Sequence, residues 1–325
     1  MAIFKIMIVI NRSKFIEISD EGLSFYDGNH QKIVRYNKQI WLKIIEWYQI
    51  PRELEEIPQD ILPMNEMIAL KKVLLKLNVL KEDKAILKSF ERLNNFYDCY
   101  GGKSLEEISK IKVMIWGCGT VGTAIVDNLA KMGVKNFLLI DSDIVEEKNI
   151  IAQSIYQKED IGLKKVRVIK NYVEMLNIGE FNIEISDNFI KNEKEFKYNY
   201  QYYRSDFMVD CADAKNEELD IQFIKFAQQY DGVYLSTGYA DDNDYIFKVS
   251  NDFDKFENFM RSNWGSSKKK YQLSSNRGVI IDSQLLGSLS ARSIINHILG
   301  LDKEDRMLEI NLLNLTMRNI PFEYN

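Results

Sequence analysis

Apolar and polar residues alternate at the start of the chain and then recur with a helical period. The alternation predicts four short strands within residues 2–34, separated by turn-forming residues. The helical spacing predicts helices over residues 38–49 and 64–80, the first of them capped by Asn37. Residues 1–82 are therefore predicted to form a small α+β domain of winged-helix character.

From about residue 109 the pattern changes to compact apolar strands that alternate with amphipathic helices. Such alternation is typical of βαβ units and a parallel sheet. The predicted fold class is therefore α/β, with a Rossmann-like, doubly wound and mainly parallel sheet over residues 109–325 and a linker helix over 83–108. The elements are predicted as strands 112–116, 136–141, 181–186, 206–210 and 233–237, helices 120–132, 161–175 and 217–230, a mobile excursion at 251–277, a helix at 278–300 and closing strands at 307–317.

The composition is that of a globular protein with a mild acidic balance. The chain has 325 residues and a formal net charge of -5, which argues against a general nucleic-acid binder. Its three cysteines form no C-x-x-C pair, so no zinc site or disulfide framework is indicated and a reducing, cytoplasmic compartment is expected. No stretch approaches the roughly 18 consecutive apolar residues of a membrane-spanning helix, so no membrane partner is expected.

A G-x-G-x-x-G motif joins the first strand and helix of the second domain. Gly117 permits a tight turn, Gly119 lets the backbone approach a phosphate, and Gly122 lets the helix pack on the strand. The helix that begins at Thr120 would offer unpaired N–H groups to an anion. The motif alone would equally suit NAD or FAD, or serve only packing.

Two acidic residues follow the next predicted strand. Asp141 ends that strand, about twenty residues after the glycines, where a carboxylate typically accepts hydrogen bonds from ribose hydroxyls. Asp143 is a second candidate for nucleotide binding, although a role in capping the following turn is slightly favoured.

Further motifs follow in a fixed order. They are Asp141-Ser142-Asp143-Ile144-Val145-Glu146-Glu147-Lys148-Asn149 with Gln153, Asp160-Ile161-Gly162-Leu163-Lys164-Lys165, Val209-Asp210-Cys211-Ala212-Asp213-Ala214, and Ser236-Thr237-Gly238-Tyr239. With the glycine motif they resemble the ThiF/MoeB family, the bacterial relatives of ubiquitin-activating enzymes. The resemblance is strong over about residues 110–245 and loose over 278–300. Within the family it is greatest to the microcin C maturation type, which carries an N-terminal peptide-recognition domain.

The resemblance implies an adenylyltransferase that uses ATP and Mg²⁺. A carboxylate would attack the α-phosphate and pyrophosphate would leave. By motif position, Asp213 would hold Mg²⁺, Lys165 would neutralise phosphate charge, and Asn149 and Gln153 would contact phosphate or ribose. These residue types suit those roles, because a lysine is a flexible point charge and a carboxylate is a hard oxygen ligand. The alternatives are a solvated helix face for Lys165 and a helix N-cap for Asp213.

The chain also departs from the family pattern. An arginine usually precedes the glutamine, and here that position is Ala152. Arg167, Arg204 or an arginine of another subunit could replace it. The paired cysteines that bind zinc in the family are missing, so no zinc is predicted. Cys118 and Cys211 are interpreted as packing residues, so adenylation without a cysteine relay is expected.

The N-terminal domain resembles the leader-peptide recognition element of enzymes that modify ribosomally made peptides. Recognition there would add the peptide as an extra strand to an exposed sheet edge. Trp41, Ile44 and Ile45 could line the groove, or could be the core of the domain, and Tyr239 is assigned to the peptide site of the second domain. A homodimer is expected from the resemblance.

The leading hypothesis is an ATP-dependent adenylyltransferase that activates the C-terminal carboxylate of a ribosomally made precursor peptide. The main alternative is a catalytically inactive partner protein that binds leader peptide and delivers it to a separate modifying enzyme. An NAD(P)-dependent enzyme is disfavoured, because it would leave Lys165 and Asp213 unexplained.

Overall fold

The computed structural model divides the chain into two compact units, Met1–Gly102 and Lys103–Asn325. We call them the N-terminal and the C-terminal unit. The structure describes residues 7–11, 14–27, 30–50, 52–53, 61–82, 90–100, 103–200, 203–212, 217–240, 243–264 and 279–322. The predicted linker over 83–108 begins outside the described residues, so its extent stays a prediction.

The N-terminal unit contains two three-stranded antiparallel sheets, ordered β5-β1-β6 and β2-β3-β4. Asn37 caps the first helix as predicted, since its side chain accepts hydrogen bonds from the backbone N–H groups of Gln39 and Ile40 at 2.9 and 3.4 Å. The elements are β1 (Met7–Ile10), β2 (Ile16–Ser19), β3 (Gly22–Asp27), β4 (His30–Val34), α1 (Lys38–Trp47), β5 (Arg52–Glu53), α2 (Met64–Lys76), β6 (Leu80–Glu82) and α3 (Glu91–Tyr100).

The C-terminal unit is built on one eight-stranded sheet, ordered β14-β13-β12-β11-β10-β7-β8-β9. Its elements are α4 (Leu105–Lys110), β7 (Lys112–Trp116), α5 (Thr120–Lys131), β8 (Asn136–Ile140), α6 (Glu147–Ala152), α7 (Lys165–Met175), β9 (Asn182–Ser186), α8 (Glu193–Tyr200), β10 (Phe207–Asp210), α9 (Glu217–Gln229), β11 (Val233–Ala240), β12 (Asn243–Val249), α10 (Phe253–Trp264), α11 (Ile280–Ile298), β13 (Arg306–Asn311) and β14 (Thr316–Ile320).

The strands β9, β8, β7, β10 and β11 run parallel, which confirms the predicted mainly parallel sheet. The chain moves outward from β7 in one direction through β8 and β9 and in the other through β10 and β11. The loop after β7 therefore lies at the point where the strand order reverses, at the carboxyl edge of the sheet. In open α/β sheets this is where ligands bind.

Helices cover both faces of the sheet, as a doubly wound fold requires. On one face α5 contacts α7 and α11, and on the other α9 contacts α8 and α10. The helices α5 and α11 approach closely at Gly287, where a Cβ atom would lie 2.3 Å from the Cβ of Ala124. The other face is an aromatic-rich core in which Phe223 packs edge to face against both Trp116 and Phe196.

The prediction of a mobile excursion over residues 251–277 is wrong in part. Residues 253–264 form α10, whose Phe253, Phe256 and Met260 are buried in the aromatic core, while residues 265–278 lie outside the described residues. The strand β12 was not predicted, although it pairs along its whole length with β11. Among the described helices none is long and apolar enough to cross a membrane.

Candidate functional site

A cavity of about 250 Å³ lies at the carboxyl edge of the parallel strands. It opens beside the loop that joins β7 to α5, at the reversal point of the strand order. Its wall combines the glycine loop, the acidic loop after β8, the segment after β9 and the end of β10. The lining residues are Trp116, Gly117, Gly119, Ile140, Asp141, Ser142, Asp143, Lys165, Asn188, Phe189, Ile190, Cys211, Ala212 and Leu219.

Two glycines of the motif are required by the fold itself. Gly117 has a φ of 92°, and a Cβ atom there would lie 2.6 Å from backbone atoms of Cys211 and Ala212. A Cβ atom on Gly122 would lie 2.0 Å from the carbonyl oxygen of Gly117. These two positions therefore let the turn and the helix pack against β10 and β7.

Gly119 is different, because the fold does not require it. Its φ is -78°, which suits any residue, and a Cβ atom there would meet no atom within 4 Å. Gly119 lines the cavity and directly precedes α5, whose first N–H groups have no partner within the helix. The absence of a side chain at Gly119 therefore leaves open cavity space beside a helix N-terminus. This arrangement binds anions such as phosphate.

Asp141 holds the glycine loop in place. One carboxylate oxygen accepts a hydrogen bond from the backbone N–H of Cys118 at 2.7 Å, and the other accepts from the N–H of Asp143 at 2.8 Å. Each oxygen keeps a second lone pair, so the residue can still accept a hydrogen bond from a ribose hydroxyl. The sequence predicted the ligand-facing position, and the structure adds this loop-holding role.

Lys165 is a buried cation at the cavity wall. Its side chain is 10% exposed, and its Nζ lies 2.9 Å from the carboxylate of Asp143, which is 65% exposed. The solvated helix face that we considered for Lys165 is therefore wrong. Asp143 is the counter-ion of Lys165, and both line the cavity.

Other predicted nucleotide contacts lie outside the wall of this cavity. Asn149 is buried, and its side-chain oxygen accepts a hydrogen bond from the N–H of Glu146 at 2.8 Å, which caps α6. Gln153 is also buried, and its Oε1 has no hydrogen-bond partner among the described residues. The hydroxyl groups of Thr120 and Tyr239 lie 3.0 Å apart. Asp213 lies outside the described residues, so its role stays a prediction.

Neither arginine that we considered as a substitute lines the cavity. Ala152 ends α6, half-buried. Arg167 is exposed, two residues beyond Lys165 on α7, and helical residues so spaced do not face the same way. Arg204 is exposed near the amino end of β10, at the opposite edge of the sheet, with its guanidinium 5.8 Å from the Tyr230 ring centroid. Within the described part of the chain, no group of three His, Cys, Asp or Glu residues is placed to hold a metal ion.

The two cysteines near the cavity differ in accessibility. Cys118 is fully buried, and burial followed by the nearby Asp141 carboxylate raises the pKa of its thiol well above the usual value. Cys211 is half-buried and lines the cavity. A buried thiol whose pKa is raised is a poor nucleophile, which agrees with the packing role expected for Cys118.

The sequence analysis missed the segment after β9. Asn188, Phe189 and Ile190 line the cavity, and the Phe189 side chain is 66% exposed although it is large and apolar. The signal was available, because residues that follow a parallel strand next to β8 must lie at the same edge of the sheet as the glycine loop.

In the N-terminal unit, two of the predicted peptide contacts belong to the core. Trp41 and Ile44 are 0% and 1% exposed, so as placed they have almost no surface to offer a peptide. Ile45 is half-buried and packs against that core. Exposed apolar residues of the same region include Phe15, which is 71% exposed, and Ile33 and Leu42, which are each 43% exposed.

Comparison with known proteins identifies the fold and the family. A crystal structure of E. coli MccB with AMPCPP and MccA matches with a TM-score of 0.70 at 16% identity and covers 98% of each chain. A crystal structure of E. coli MccB with ATP matches with a TM-score of 0.68 at 17% identity, over 98% of this chain and 97% of that one. At these identities the likeness shows the fold, and it confirms the predicted α/β class.

Sequence relatives match parts of the chain. The tRNA threonylcarbamoyladenosine dehydratase of Haemophilus influenzae is 30% identical over 129 residues, 38% of this chain and 48% of that protein. The adenylyltransferase and sulfurtransferase UBA4 of Candida glabrata is 26% identical over 166 residues, 48% of this chain and 36% of that protein. The matches thus span less than half the length of these relatives. The ThiF family model matches residues 90–325, which confirms the resemblance seen in the motifs: the chain belongs to the ThiF family.

Proposed function

We propose that this protein is an ATP-dependent adenylyltransferase that activates the C-terminal carboxylate of a ribosomally made precursor peptide. The observation that carries the proposal is the space above Gly119, which the fold leaves empty between a helix N-terminus and the buried Lys165. A triphosphate fits that space, because it needs N–H donors and positive charge within a cavity that partly excludes water.

In this proposal the carboxylate oxygen of the peptide attacks the α-phosphorus of ATP. The new bond joins the acyl oxygen to phosphorus, the bond between the α-phosphorus and the bridging oxygen breaks, and pyrophosphate leaves. The N–H groups at the start of α5 hold the phosphate oxygens in position. Lys165 leaves Asp143 and contacts a phosphate oxygen instead. Asp143 is exposed enough to be solvated by water once Lys165 has moved.

Names of relatives support this reaction type. One relative is called an adenylyltransferase and sulfurtransferase, and E. coli MccB has been crystallised with ATP. The predicted Mg²⁺ would supply further positive charge to the phosphates, and Asp213 remains the residue that we expect to hold it. Asp141 completes the site by fixing the loop that carries the N–H groups.

The peptide substrate is also a proposal. MccB structures contain MccA, and one describes MccB as a microcin C7 biosynthetic enzyme in complex with N-formylated MccA. In this chain the sheet β2-β3-β4 has β4 as an edge strand among the described residues, with the exposed Ile33 on it. A peptide could add to this edge as a further strand. We propose a homodimer as well, which light scattering of the purified chain would test.

Peptide-dependent exchange of labelled pyrophosphate into ATP tests the reaction directly. We expect exchange with a ribosomally made precursor peptide whose C-terminal carboxylate is free, and none when that carboxylate is converted to an amide. Lys165→Met should abolish exchange. The matched control Lys158→Met, at an exposed lysine that does not line the cavity, should leave exchange unchanged. Exchange that persists with the amidated peptide or in Lys165→Met would contradict the proposal.

A second function is favoured by Ala152 and by the positions of the two candidate arginines. A ThiF-family protein that has no arginine beside the phosphates of a bound nucleotide could bind leader peptide and deliver it to a separate modifying enzyme. The same experiment separates the two functions. A delivery protein would bind the peptide in a titration but would catalyse no exchange with any peptide, at any ATP concentration.

A further inference from the structure

Asp244 is a buried acid that the reaction as described does not use. It is 1% exposed and lies on β12, which is hydrogen-bonded on one side to β11 and on the other to β13. The backbone around it is therefore fixed, and the side chain cannot turn to solvent. Its register partner on β11 is Tyr239, and directly opposed residues of antiparallel strands point to the same face of a sheet.

This face connects Asp244 to the nucleotide cavity. The Tyr239 hydroxyl lies 3.0 Å from that of Thr120, the first residue of α5 and the neighbour of Gly119. Ser283, in the first turn of α11, is near enough to Tyr239 to act on its hydroxyl. The Ser283 hydroxyl lies 3.0 Å from the carbonyl oxygens of Val279 and Ile280 and 3.3 Å from that of Ala152. Asp244 therefore belongs to a polar cluster beside the point where the phosphates are proposed to bind.

Three buried polar atoms of β11, β12 and the end of α6 have no hydrogen-bond partner among the described residues, and on α11 Ser290 Oγ and His297 Nδ1 have none either. The three are Oδ2 of Asp244, Oγ1 of Thr237 on β11 and Oε1 of Gln153 at the end of α6. The helix α11 contacts all three of the elements that carry them. When the Asp244 carboxyl is ionised, two of the three atoms are acceptors only, and the third accepts as well as donates. Buried polar groups without partners are costly and rare, so the cluster is complementary to a ligand that supplies N–H donors.

The charge of the cluster specifies the ligand further. Asp282, half-buried in the first turn of α11, acts on Asp244 through its charge. Burial and then Asp282 raise the pKa of the Asp244 carboxyl to about 7, and no described cation offsets them. Two carboxylates that no cation of the described residues offsets repel a phosphate and attract a cation. The ligand is therefore a positively charged group with several N–H bonds.

We propose that Asp244, with Asp282 and Tyr239, forms a subsite for the ammonium or guanidinium group of the peptide residue whose carboxylate is activated. The proposal rests on the proposed function and specifies its substrate, a peptide that ends in lysine or arginine. The cation would occupy the donor-deficient cluster, while the carboxylate of the same residue would extend towards the α-phosphate. Asp244 and Asp282 are then specificity determinants rather than catalytic residues.

The first test measures binding without any reaction. The full-length protein is titrated by calorimetry at pH 7.5 with n-butylammonium, with n-butylguanidinium, and with propionamide as the uncharged N–H donor. We expect both cations to bind and to lose at least about tenfold in affinity in Asp244→Asn and in Asp282→Asn, because a hydrogen bond to a charged group is worth at least one such factor. Asp254→Asn, at an exposed acid of α10, is the matched control and should bind as the wild type does.

The second test measures pyrophosphate exchange with peptides that differ only in the last residue. Peptides ending in lysine or arginine should exceed the leucine-ended peptide at least about tenfold in kcat/KM, and Asp244→Asn should reduce that ratio to near one. Exchange with every peptide at the same rate, or cations that bind wild type and Asp244→Asn equally, overturns the subsite. Propionamide that binds as tightly as the cations overturns the assignment of charge. If no peptide supports exchange but the cations bind as expected, the proposed function fails and the subsite stands.

Discussion

Replacing Gly119 by alanine separates binding from folding more cleanly than any other change in this site. The added methyl group extends about 1.5 Å from the Cα and would meet no protein atom within 4 Å. The φ of -78° is compatible with alanine. The remaining effects on stability are the weaker N-cap preference of alanine and its smaller unfolded-state entropy, which oppose each other and are each about 1 kcal/mol or less.

The effect on nucleotide binding should be much larger. A phosphate oxygen that accepts from the N–H groups at the start of α5 must approach their nitrogens to about 3 Å, and a methyl carbon in that space keeps it at about 3.5 Å or more. Losing one hydrogen bond to a charged group costs about 1.5–3 kcal/mol, which corresponds to roughly a 10- to 100-fold weaker affinity.

Calorimetric titration with ATP and thermal unfolding of the same preparations measure the two effects. We expect Gly119→Ala to unfold within a few degrees of the wild type, because about 1 kcal/mol shifts the midpoint by roughly 2–4 °C in a domain of this size. Gly122→Ala is the contrasting variant. Its Cβ atom would lie 2.0 Å from a carbonyl oxygen, so it should unfold at a markedly lower temperature. A well-folded Gly119→Ala that binds ATP as tightly as the wild type refutes the reasoning.

Three other changes test other parts of the account. Lys165→Met should weaken ATP binding at least about tenfold in a titration. It should leave the melting temperature unchanged or higher, because it removes a buried charge whose partner Asp143 is exposed to water. A large loss of stability would contradict this expectation. Asp141→Asn should lower the free energy of unfolding by about 1–3 kcal/mol in a urea titration, since its carboxylate accepts two backbone N–H bonds, and an unchanged midpoint would remove its loop-holding role. Asp244→Asn should raise the melting temperature more at pH 8 than at pH 4. The folded pKa of Asp244, about 7, lies above the ordinary value of 3.8 for an aspartate, so the stability from this group is present at low pH and lost as the pH rises to 7, while an amide keeps it. Equal differences at both pH values would contradict the raised pKa.

The parallel part of the sheet could be predicted because its strands are buried on both faces and read as uninterrupted apolar runs. Strand β7, for example, has four consecutive buried residues, Val113–Trp116. The segment 243–249 lacks that signal, since it mixes Asp244 and Lys248 with apolar residues, both of them buried by neighbouring strands and helices. Tertiary burial rather than local pattern makes it a strand.

The glycine motif, Asp141 and Lys165 could be predicted because their spacing is fixed by the βαβ unit. Which glycine faces the ligand could not, since Gly119 differs from Gly117 and Gly122 only in what surrounds a Cβ atom. In the N-terminal unit, helical periodicity shows that Trp41 and Ile44 share a face. Periodicity does not show that strands β2 and β3 already cover this face of α1. The structure shows that they do, and it places Trp41 and Ile44 in the core.

The central claim is that a triphosphate binds above Gly119, between the start of α5 and Lys165. A crystal structure of the protein soaked in ATP and Mg²⁺ tests it most directly. The account predicts phosphate oxygens within hydrogen-bond distance of the N–H groups that follow Gly119 and of the Lys165 Nζ, with the α-phosphate on the side of Tyr239. Nucleotide bound elsewhere, or phosphates that contact neither the loop nor Lys165, would contradict it.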